Sequence, residues 1–136
     1  MPSLKDVLIR IKNLPEDSME ALKYWREIHN TGDRLVAAFG AGVKAGEGID
    51  NYYHPLLQCE IAQKGNGHIK NGIALGYLKE IVDEYLDSDG KTTYDNIKDL
   101  QNNRYGSIIG QNNPDADCRD LLEERRTPNM RILRIR

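Results

Sequence analysis

Apolar residues in this chain recur every three or four positions, in one stretch after another, and that spacing confines it to helices packed face to face. Leu4, Val7, Leu8, Ile11 and Leu14 share one helical face behind Ser3, and Asp6 three residues on completes a pattern like a capping box. Pro15 closes this helix, and the spacing resumes with Met19, Leu22, Tyr24, Trp25 and Ile28, then Leu35, Val36 and Phe39. Gly32 is a weak point in that second run, costing a helix about 1 kcal/mol. A third helix is expected after Asp50, through YYHPLLQCEIAQKG, with Pro55 tolerated near its first turn and Gly65-Asn66-Gly67 ending it. Ile69, Ile73, Leu75, Leu78, Ile81, Val82 and Tyr85 mark a long fourth helix up to the Ser88-Asp89-Gly90 turn. A fifth segment, capped by Thr93 or Asp95, is expected through YDNIKDLQNNRYGSIIG. A polar loop, a short helix CRDLLEERR and a tail TPNMRILRIR follow. No two alternating runs are joined by a hairpin turn, although Ile132, Leu133 and Ile135 would let the tail form one short strand. The expected fold is therefore all-α: a compact bundle of about four to five helices over residues 1–127, with a basic, apolar C-terminal tail at 128–136.

Charge and hydropathy narrow the partners. With 19 basic against 21 acidic residues, the net charge is −2, so no overall positive field is present to hold nucleic acid by its phosphates. No run approaches the ~18 apolar residues of a membrane span. The N-terminal stretch MPSLKDVLIRIKNL has basic residues inside its apolar part, unlike a cleavable signal. The expectation is a chain that stays in the cytoplasm or is exported without such a signal.

Gly40, Gly42, Gly46 and Gly48 superficially suggest a phosphate loop. The run lacks the lysine–Ser/Thr ending and the preceding strand that this chemistry requires. Small residues on a closely packed helix, followed by a turn, are the expected reading. The two cysteines, Cys59 and Cys118, can pair only if their Cα atoms come within about 7 Å, and the expectation is two free, half-buried thiols. Cysteines and histidines at metal spacing are missing, so neither a structural zinc nor a cofactor is expected.

The polar residues that merit weighing surround His54. His54 and Gln58 share a helical face at i, i+4, whereas Glu60 points elsewhere, so any acid–base partner must come from another helix. Glu80 and Glu84 on the fourth helix, and Asp99 and Asn103 on the fifth, supply carboxylates and an amide. If the chain is an enzyme, these residues with His54 are its site. No nucleophile motif accompanies the histidine, and the competing reading is a buried polar knot that locks the helices together. His54 is then expected to be buried and hydrogen-bonded to the Asp99–Asn103 segment or the Glu80–Glu84 turn. His29 and His68, near glycine breaks, are expected at the surface.

Two blocks carry a family likeness. YYHPLLQCEIAQKGNG at Tyr52–Gly67 resembles the central signature of serum amyloid A proteins, with Tyr53, His54, Gln58, Glu60, Ala62, Lys64, Gly65 and Gly67 in matching places. NNRYGSIIGQNNPD at Asn102–Asp115 resembles a second family segment through Asn103, Tyr105, Gly106, Gly110 and Pro114. The resemblance covers Asp50 to Asp115. It implies a bundle of about four helices with a non-enzymatic binding role, lipid or lipoprotein surfaces being the family's partners. It also extends to bacterial, toxin-associated relatives. The N-terminal half, which carries lipid-binding character in the animal family, matches poorly.

The expected function is a non-catalytic helical module that works through protein association, self-association or a lipid surface. Its contact residues are expected to be Val7, Leu8 and Ile11 on the first helix and Arg131, Arg134 and Arg136 in the tail. The tail from Met130 to Arg136 shows no capping or turn residue to terminate it, which suits a segment that clasps a neighbour. The alternative is a small bacterial effector or toxin-type hydrolase centred on His54.

Overall fold

A computed structural model gives the fold, and the structure describes residue 5, residues 18–65 and residues 93–136. The first and fourth expected helices, with Val7, Leu8, Ile11, Glu80, Glu84 and His68, lie outside the described residues. Among the described residues the fold is all-α, with five helices and no strand. They are α1 (Ser18–Phe39), α2 (Asp50–Ala62), α3 (Thr93–Asn112), α4 (Cys118–Leu121) and α5 (Pro128–Ile132). Short 3-10 turns form at Ala41–Val43 and Glu123–Arg125.

The hydrophobic centre is α2. Every residue from Tyr52 to Cys59 is buried, so this helix has no solvent face and packs on several sides. On one side α1 presents Ala21, Tyr24 and Leu35, with Trp25 and Ile28 packed around them. On another lies α3, the helix in most extensive contact with α2. There the approach is backbone on backbone. An added Cβ at Gly106 would stand 2.2 Å from the Pro55 carbonyl oxygen, and one at Gly110 would stand 2.2 Å from that of Cys59. The two glycines, four residues apart on α3, are one turn apart on one face and leave the groove into which α2 fits.

Four expectations are corrected here. First, α1 runs unbroken through Gly32. The glycine is there for space, because a Cβ on it would lie 2.1 Å from the Ala45 carbonyl oxygen. Second, the glycine cluster is not a packed helix. It forms the 3-10 turn and a succession of turns that fold back over α1, with Gly46 (φ +86°) against the Gly32 backbone.

Third, Cys59 and Cys118 are not free thiols. They form a disulfide with Cα atoms 6.0 Å apart, because α4 docks on the middle of the fold next to the last turn of α2. Fourth, the C-terminal segment is neither a strand nor a loose tail. The Thr127 hydroxyl accepts from the Met130 N–H, and Pro128 occupies the first turn, where its missing N–H costs nothing. The segment forms α5 and buries Met130 and Ile135 in the core, so it is part of the packed body and not a free clasp. Deleting it would therefore remove core side chains.

Candidate functional site

Pro55 poses a local problem that leads to the site. It sits five residues into α2, where its lack of an N–H leaves the Asn51 carbonyl without its helical donor. The Arg125 guanidinium supplies one from outside, with Nη1 3.3 Å from Asn51 O. The same nitrogen donates to Asn102 Oδ1 at 2.8 Å, and Asn102 Nδ2 donates to Asn51 Oδ1 at 2.9 Å. The triangle is roofed by Tyr105, whose ring centroid is 4.0 Å from the Arg125 guanidinium carbon. A half-buried polar knot is thus present, built on Asn51, Asn102 and Arg125.

Beside this knot lies a half-open cleft of about 450 Å³. Its walls are the turn Lys44–Gly48, the head of α2 from Ile49 to Asn51, Ile28 of α1, and Lys98 and Asp99 of α3. Charges of both signs face one another there, from Lys44, Glu47, Asp50, Lys98 and Asp99. Part of the wall is strained. Lys44 and Ala45 are consecutive non-glycine residues with φ of +47° and +56°, a conformation costing about 1–2 kcal/mol each for an L-residue. Such strain persists only where surrounding structure enforces it, and it collects at binding and switch regions.

Of the sequence candidates, Asp99 lines the cleft, and His54 lies one turn below Asp50, another of its walls. The Asp50 carboxylate is mostly exposed, and its Oδ1 is 4.0 Å from His54 Nε2. The imidazole itself is only 4% exposed and is enclosed in the packing of α2. Asn103 is half-buried, whereas its neighbour Asn102 carries the knot. His29 is at the surface as expected, paired with Asp33 at 3.3 Å. Arg131 and Arg134 are exposed, Arg131 donating to the Glu123 carbonyl at 2.8 Å, and Arg136 pairs with Asp120. Sequence reasoning missed Asp50, Lys44, Lys98 and Arg125. A proline five residues into a helix was the available signal, since it demands a foreign donor for the carbonyl one turn back.

A second polar cluster joins α1, α2 and α4. Arg119 bridges to Glu27 at 3.3 Å beside the buried hydroxyls of Tyr24 and Tyr52. Burial alone would lower its pKa, but Glu27 and the two phenols more than offset this, and the guanidinium stays charged. Burial pushes the Tyr24 phenol well above its ordinary range, and the adjacent Glu60 adds to the shift. Glu60 is raised above the usual carboxylate range chiefly by burial, with the nearby Tyr24 hydroxyl pulling the other way.

Among the described residues no His, Cys, Asp and Glu side chains gather in a group able to hold a metal ion, and no helix is long and apolar enough to cross a membrane. Comparison of the chain with protein-family models, curated proteins and solved structures finds no match, so the likeness to serum amyloid A proteins rests on its two sequence blocks.

Proposed function

We propose that this domain is a non-catalytic binding module that engages a segment of a partner protein at the cleft above α2. The observation that carries this reading is the contrast between His54 and the cleft. A catalytic imidazole must touch its substrate, and here the ring is shut inside the packing, while the charged, strained wall beside it is open. Side chains of both signs around about 450 Å³ suit two or three polar side chains of an extended segment. The serum amyloid A resemblance points the same way, to binding without chemistry.

The test is recovery of a tagged full-length chain from the cells that make it, under native conditions. Lys44→Glu/Lys98→Glu should lose a specific partner that the unaltered chain retains, with its helical circular dichroism unchanged. Equal recovery from both proteins would refute the cleft as the contact surface.

One observation favours a hydrolase as the second reading: Asp50 both lines the cleft and approaches the imidazole. In that case expression of the chain should arrest host-cell growth, and Asp50→Asn and His54→Gln should each relieve the arrest without loss of helix content.

A further inference from the structure

We propose that the Cys59–Cys118 disulfide is an oxidation-dependent lock, which clamps the C-terminal unit, residues 118–136, onto α2 and through it braces the wall of the cleft. The chain has two cysteines and both are spent on this bond, each sulfur buried in the core. The unit it fastens cannot stand alone. Its helices are four and five residues long, far below the length at which a helix holds by itself, so they exist by docking.

The junction is tied where the bond lies. Gln63, one turn after Cys59 on the chain, donates through Nε2 to Asn113 O at 2.8 Å and Ala116 O at 2.6 Å, just ahead of Cys118. Beyond the junction the unit reaches the cleft in two places. Arg125 supplies the donor that Pro55 denies to Asn51, and the Thr127 methyl lies 3.6 Å from where a Cβ on Gly48 would stand. Asn51 and Gly48 both line the cleft. A covalent link at Cys118 therefore stabilises the donor that α2 needs at its head.

Closing the lock takes two thiols to one disulfide. Two electrons and two protons pass to a disulfide oxidant such as oxidised glutathione, whose sulfurs leave as two thiols. The braced form thus belongs to an oxidising compartment, and transfer to a reducing one loosens the unit. The cysteines are 59 residues apart in sequence, but with α2 and α3 folded the free tether is only the short stretch from Asn112 to Cys118, so loop closure alone makes the opening of an unlinked unit more frequent by on the order of tenfold to a hundredfold.

The experiment is amide hydrogen exchange on the full chain, after oxidised glutathione and again after reduction, with thiols counted by alkylation and intact mass. The expected result is no alkylatable thiol in the oxidised protein. On reduction, exchange should rise by tenfold or more in residues 118–136, with a smaller rise at Asn51–Tyr53 and little change at Leu56–Ile61. Cys59→Ala/Cys118→Ala should reproduce the reduced pattern without reductant. Two free thiols in the folded, oxidised protein would overturn the lock, as would unchanged exchange on reduction. A uniform rise across residues 18–65 and 93–136, or an unfolded double variant, would also overturn it, because the bond would then hold the whole fold and not this unit.

Discussion

Replacing Gly106 or Gly110 by alanine tests the packing on which everything else is hung. In an exposed helix such a change stabilises by about 1 kcal/mol, since alanine is the better helix former. Here the new methyl would sit 2.2 Å from a carbonyl oxygen of α2, at Pro55 for Gly106 and at Cys59 for Gly110. Both obstacles are backbone, which no rotamer change removes, so α3 must retreat by about 1 Å over its closest contact. Overpacking of this kind costs ~1–3 kcal/mol or more, and the retreat also strips contacts from Pro55 and Cys59. The net expectation is a loss of about 2 kcal/mol for either variant, read as a lower midpoint in urea at unchanged slope. Gly42→Ala is the control, because nothing lies within 4 Å of the Cβ it would add. It should leave the midpoint unchanged or raise it slightly. Gly106→Ala and Gly110→Ala proteins as stable as the original would refute the backbone-on-backbone account of α2 and α3.

Arg125→Met keeps much of the side chain's bulk but leaves Asn51 O and Asn102 Oδ1 without their donor; thermal unfolding should show a loss of ~1–3 kcal/mol, and an unchanged melting temperature would dismiss the knot. Ala45→Gly removes a left-handed L-residue from the cleft wall, so it should stabilise the fold by about 1 kcal/mol in the same assay. Glu60→Gln addresses pH. Burial raises the Glu60 pKa in the folded state, so its contribution is fully present below the unfolded value near 4.5 and is lost as pH rises through the folded value. Stability of the variant measured at neutral pH should accordingly exceed that of the parent, and the difference should vanish in acid; a variant weaker at neutral pH would contradict the assignment.

How much of this was legible in sequence follows from what each feature depends on. The helical spacing of Tyr24, Trp25, Ile28 and Leu35 is local, and it marked α1 without knowledge of what it packs on, whereas Leu22 and Phe39 of the same run prove to be exposed. The start of α2 at Asp50 and the break at Gly65 were equally local. Gly106 and Gly110 stood out in the second family-like block, but their role needs the neighbour they admit. Pairing of Cys59 with Cys118 depends on a long-range approach between α2 and α4 that periodicity does not encode. The same holds for Arg125, whose role as a donor to the Asn51 carbonyl depends on a long-range approach to α2. His54 was expected to be buried and is; the cleft beside it was not foreseen, because it takes walls from three helices and a turn.

Photo-crosslinking in the cells that produce the protein tests the central claim most directly, the cleft as the surface of a binding module. A benzophenone amino acid at Lys44 or Lys98 places the reactive group on the cleft wall, and one at Asp115 lies in the turn past the end of α3, whose last residue is roughly 20 Å along the helix from Lys98. A discrete adduct with one protein partner is predicted from the two cleft positions and not from Asp115, and Asp99→Lys should abolish it while His54→Gln leaves it in place. An adduct from Asp115 with none from Lys44 or Lys98 would contradict the account.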